Sequence, residues 1–211
     1  MAHQSAPENL ALHGVRVLGF PTAYRVAGRY RLDADAVADL LLDHEARGLV
    51  RHLSFAGTSG WSLTEAGRAE DERRLAAELD LTGLRDAVTS VHAAFGPLNE
   101  RLGTACTDWQ IRPTRADPMA INDHTDWRWD ERALRALGSL DTSFRRLCDQ
   151  LAGRLARFGG YADRYSAALA KARAGQRAWV DAPGQDSCHT VWIQFHEDLL
   201  ATLGLERGCD N

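Results

Sequence analysis

Apolar residues recur at helical spacing along almost the whole chain, and one short stretch breaks the pattern. Leu49-Val50-Arg51-His52-Leu53 alternates as a strand does. A Gly57-Thr58-Ser59-Gly60 turn follows, and Trp61-Ser62-Leu63 reads as the returning strand. The expected chain is therefore mainly α with a single β-hairpin.

Three helices are expected before the hairpin. Leu10, Leu12, Val15, Val17 and Leu18 form a short apolar helix that ends near Gly19-Phe20-Pro21. Pro21 suits the first turn of a second helix holding Tyr24, Val26 and Ala27. Asp33 can cap a third, with Val37, Leu40, Leu41 and Leu42 as its buried stripe and Gly48 at its end. After the hairpin, Thr64 with Glu65 opens a fourth helix to about Leu79. Three helices, a hairpin wing and a closing helix describe a winged helix-turn-helix over residues 9–80, after a flexible stretch at 1–8.

Residues 81–211 read as an all-helical, ligand-binding domain rich in Ala, Leu and Arg. Helices are expected at Leu81–Phe95, broken near Gly96-Pro97, then at Leu98–Gln110. Others follow at Asp130–Phe158 with a break near Gly138, at Tyr161–Ala174 and at Ser187–Leu203. Arg112–Trp127, with Pro113 and Pro118, reads as a loop long enough to carry function.

The segment ARGLVRHLSFAGTSGWSLTEAGRAE resembles the recognition-helix end, wing and LTxxGR exit of MarR-like winged-helix regulators. The helical half is similar to the C-terminal part of actinobacterial-type proteins classed among winged-helix regulators. Its carrying strings are CTDWQ at Cys106–Gln110 and HTVWIQFHEDLLATLG at His189–Gly204. The resemblance implies a fold, a homodimer, and DNA binding as a family habit.

Composition narrows the classes further. No apolar run approaches the length of a membrane span, and Met1–Asn9 lacks a signal-peptide pattern, so a cytoplasmic protein without membrane partners is expected. Cys106, Cys148, Cys188 and Cys209 are widely spaced with no CxxC pair, which gives neither a disulfide framework nor a zinc site. Net charge is −4, and neither half is a basic module. No nucleotide or flavin motif is present, so no cofactor is expected.

The last helix carries His189, Trp192 and His196 on one apolar face, the two imidazoles about 10 Å apart along the axis. Buried imidazoles need partners, so they serve either as satisfied core residues or as part of a ligand pocket. A spacing of seven is too wide for a two-histidine metal chelate. Asp108, Trp109 and Gln110 stand at a helix end, where Asp108 could act as a base or anchor a cation. In the loop, His124, Trp127 and Trp129 could form a polar rim with aromatic walls, or caps and anchors only. Cys188 sits at a helix start, where a thiol is activated, yet adjacent helical residues point about 100° apart, so His189 is poorly placed to take its proton.

DNA binding meets an electrostatic objection. Asp35, Asp39 and Asp43 share one face of the third helix, and Ser54–Gly60 has no basic residue. Arg25, Arg29, Arg47 and Arg51 are the available phosphate contacts. The leading expectation is a MarR-like regulator or sensor with a small-molecule pocket in the helical domain. The alternative is a winged-helix-derived enzyme that does not bind DNA, a lyase, cyclase or hydrolase using His189 or His196 with Asp108.

Overall fold

A computed structural model of the chain describes residues 1–55 and 57–206. Among these the order is α1 (Pro7–Leu18), α2 (Ala23–Tyr30), α3 (Ala34–Ala46), β1 (Val50–Phe55), β2 (Thr58–Leu63) and α4 (Glu65–Thr82). Then come α5 (Arg85–Gln110), α6 (Trp127–Ala152), α7 (Tyr161–Arg173) and α8 (Cys188–Leu203). Short 3-10 turns lie at Ala156–Phe158 and Arg177–Trp179. The protein is mainly helical, and β1 pairs antiparallel with β2 from Val50–Leu63 to Phe55–Thr58. Ala56, in the expected wing, and Cys209 lie outside the described residues.

Local chemistry sets the helix starts. The side chains of Asp33 and Thr64 accept the backbone N–H of Ala36 and Gly67, each at 2.9 Å, and so satisfy donors that a helix leaves open. Thr22 does the same for α2, so Pro21 precedes that helix instead of entering its first turn. Gly67 allows the start of α4 to close on Leu49, the residue before β1. A Cβ there would sit 1.8 Å from the Leu49 carbonyl oxygen. Thr58, Ser59 and Gly60, expected in the turn, belong instead to β2.

Two expected breaks are absent. Pro97 lies inside a continuous α5, whose buried Val91, Phe95, Leu102 and Trp109 recur every four or seven residues. That stripe outweighs the roughly 3 kcal/mol that an interior proline costs. Gly138 likewise lies inside α6; it admits Arg173, whose guanidinium would fall 1.9 Å from a Cβ at that position.

The chain divides into two compact units. The first comprises Met1–Thr89, Ala152–Arg157 and Gln194 onward; the second comprises Ser90–Leu151 and Phe158–Ile193. The first is built on a cluster of Leu12, Val15, Val26, Val37, Leu41, Val50 and Trp61. Its opening residues, expected to be flexible, are tied down. The His3 N–H donates to Arg154 O at 2.7 Å, and Ala156 N–H returns to His3 O at 2.9 Å. The second unit centres on Trp192, which stacks on Phe144 at 4.5 Å with Phe95 and Tyr165 alongside. No helix among the described residues is long and apolar enough to cross a membrane.

Candidate functional site

In the second unit, the connection between α5 and α6 folds back on its own root. Ile111 bridges Ile121, and Asn122 N–H donates to Gln110 O at 2.8 Å. This places the Asn122 side chain in the interior, where its amide gives both hydrogens away, to Trp109 O and to Asp130 Oδ1, each at 2.9 Å. Its Oδ1 accepts the His124 N–H at 3.1 Å, forming a tight turn that holds His124 at φ +59°. A left-handed conformation at a non-glycine residue persists only where the surroundings enforce it.

The surroundings of His124 do so from several sides. Its Nδ1 lies 3.0 and 3.1 Å from the two Asp130 oxygens, its ring packs 4.6 Å from Trp109, and its carbonyl accepts from Arg177 at 3.2 Å. A carboxylate only accepts, and the Asn122 amide hydrogens are already committed, so Nδ1 carries the ring proton. That leaves Nε2 as a bare acceptor. Among the described residues it has no hydrogen-bond partner, and it is not sealed from solvent, the side chain being 21% exposed.

The other expected site residues are only partly gathered here. Trp109 is buried under His124, and Gln110 donates to Asp181 at 2.7 Å. The Asp108 side chain is exposed, and what it contributes is a backbone carbonyl that accepts the Trp129 indole N–H. Trp129 is half-buried with Arg132 stacked 4.0 Å from its ring, whereas Trp127 is exposed. Trp192 is a core residue whose Nε1 donates to Asn99 at 3.0 Å. His189, half-buried, belongs to the second unit, and burial pulls its pKa down against the opposing pull of Asp181. His196 belongs to the first unit. Cys106 and Cys188 are buried thiols pushed up to about 12 by that burial, far from an activated nucleophile.

A second polar cluster, absent from the sequence expectations, lies inside the first unit. His13 of α1 is held between Asp71 of α4, at 3.2 Å from Nδ1, and Asp198 of α8, at 3.1 Å from Nε2. Arg157 donates to Glu78 at 3.0 Å, to Thr202 at 2.8 Å and to Asp198. Arg16 pairs with Glu197 and Glu72, each at 2.9 Å. Burial alone would lower the His13 pKa; the Asp71 and Asp198 carboxylates outweigh it and raise it to about 9. For Asp198 burial pushes upward, and Arg157 and His13 overcome it and hold the carboxyl below its usual range. A small cleft lined by Asn9, Asp71, Arg74 and Glu78 opens on this cluster. These charges already pair with one another or with Asn9, so the cluster reads as a clamp of helices.

The signal that could have revealed the clamp is the placing of His13 and Arg16 inside an apolar stripe, and of Asp198 beside Leu199 and Leu200. Among the described residues no group of three or more His, Cys, Asp or Glu is arranged to hold a metal.

On the surface of the first unit, Asp35, Asp39 and Asp43 are all exposed on α3, as are Arg47 and Arg51. Arg29 turns inward, donating to Arg157 O at 2.9 Å, and Arg25 is half-buried. No protein-family model, curated protein or solved structure matches the chain.

Proposed function

We propose that the chain is a winged-helix regulator or sensor of the MarR-like type, soluble and homodimeric, with a small-molecule site in its second unit. The observation that carries this reading is the order α1–α2–α3–β1–β2–α4, with α3 running through Arg47 and Gly48 directly into the hairpin. A third helix followed at once by a two-stranded wing is the arrangement that lays one helix in a major groove and a hairpin beside it. The ligand site is the turn at His124, with Trp109 beneath it and Trp127 and Trp129 following. Ligand binding would shift the population of DNA-competent conformers and so alter affinity.

Charge restricts how such a protein could meet DNA. The acidic row Asp35, Asp39 and Asp43 repels phosphates, and Arg29 is committed internally. Arg47 and Arg51, at the end of α3 and on β1, are the exposed cations best placed to serve, with Arg25 nearer the start of α2. The test is the affinity of the double variant Arg47→Ala/Arg51→Ala for DNA from upstream of its own gene, compared with the wild type at low salt. A loss of about tenfold or more, with a shallower salt dependence, is expected. Unchanged affinity would remove these arginines from the interface.

A further inference from the structure

The turn at His124 holds more positioning than a passive contact needs. A buried carboxylate fixes Nδ1, a buried amide fixes that carboxylate, and Trp109 and Arg177 fix the ring and the backbone. Such a supporting shell orients one atom, here Nε2, which stays open to solvent. Among the described residues no serine, threonine or cysteine bonds Nε2, so the group it can activate is water. Charges nearby include Asp123 and Asp126, each 3.5 Å from Arg112, together with Arg177. The same segment exposes the apolar side chains of Met119, Ile121 and Trp127, at 67%, 83% and 66%.

We propose that His124, oriented by Asp130, is the general base of a hydrolytic site for activated carboxylic esters with an apolar or aryl leaving group. This does not depend on DNA binding. In the step, Nε2 takes a proton from water as the water oxygen adds to the ester carbonyl carbon. The bond from that carbon to the leaving oxygen then breaks, and the proton on Nε2 passes to the departing alkoxide or phenoxide. The products are a carboxylic acid and an alcohol, and the imidazole returns to its neutral form with Nδ1–H still on Asp130. Asp130 acts as a positioning residue, its carboxylate stabilising the imidazolium formed in transit. A single general base acting on water suffices only where the leaving group is already a good one, which is why the ester must be activated.

The experiment measures p-nitrophenyl acetate hydrolysis by the full chain across neutral and mildly alkaline pH, for the wild type and for His124→Gln, Asp130→Asn and His52→Gln. The wild type should exceed an equal concentration of free imidazole. His124→Gln should lower that rate at least about tenfold, and His52→Gln should leave it unchanged. Asp130→Asn should lower it and displace the pH–rate midpoint, a change that mere loosening of the loop would not produce. A long-range nitrogen spectrum of the wild type, which needs no variant to fold, should show His124 protonated at Nδ1 and bare at Nε2. A rate no higher than free imidazole, a rate retained by His124→Gln, or a proton on Nε2 would each overturn the proposal.

Discussion

The Nε2 of His13 lies 3.1 Å from the Asp198 carboxylate, joining α1 to the last turns of α8 across 185 positions of sequence. Both groups are almost completely buried, so a charge on either is tolerable only while the other answers it. The first unit is therefore held by electrostatics as well as by its apolar cluster.

Stability should consequently depend on pH on the alkaline side. The folded His13 pKa is raised from 6.5 to about 9, so its contribution is fully present below 6.5 and is lost as pH rises through about 9. A shift of that size corresponds to about 3 kcal/mol. Urea midpoints should fall between neutral pH and pH about 10 in the wild type, and fall less in His13→Gln; parallel curves would refute the linkage. Asp198, whose pKa is depressed, contributes the opposite limb, present above its ordinary value and lost as pH falls through its lower folded value.

Asp198→Asn removes a carboxylate shared by His13 and Arg157. The buried cations are left undercompensated, and a loss of about 3–5 kcal/mol is expected in denaturant unfolding. A loss below about 1 kcal/mol would show that Asp71 and Glu78 suffice.

Two glycine classes should behave oppositely. Gly67→Ala pushes a methyl into the Leu49 carbonyl and should destabilise the protein by more than 2 kcal/mol, on the order of other overpacking changes. Gly103→Ala, in α5 with nothing within 4 Å of the added carbon, should stabilise it by about 1 kcal/mol. Thermal melts of the two variants decide the matter, and similar shifts in both would contradict the packing described.

Thiol chemistry gives an independent check. Cys106 and Cys188 should resist an aromatic disulfide reagent in the native protein and react only on unfolding, with mass mapping to identify the sites. Rapid native labelling of Cys188 would restore it as a candidate nucleophile.

Features written in neighbouring residues were legible from sequence. Asp33 and Thr64 announce helix starts because their capping partners lie three positions on. The His124 turn was within reach for the same reason, since Asn122, His124 and Trp109 lie close along the chain. Asp130 was not, because an acidic residue in a helix's first turn looks like an ordinary response to the helix dipole. For the His13 clamp only the polar residues set in apolar stripes were legible; the pairing was not, its partners lying 58 and 185 residues away. Gly96-Pro97 and Gly138 misled in the other direction, because breaker chemistry is local while the buried stripes that override it are tertiary.

The most direct test of the proposed function is fluorescence anisotropy of the full chain against labelled DNA from upstream of its own gene, at low salt with excess unrelated competitor. The regulator reading predicts saturable binding that survives the competitor and weakens as salt is raised. Absence of binding at low salt, where the phosphate attraction is strongest, would contradict it and leave the acidic face of α3 as a surface that DNA does not approach.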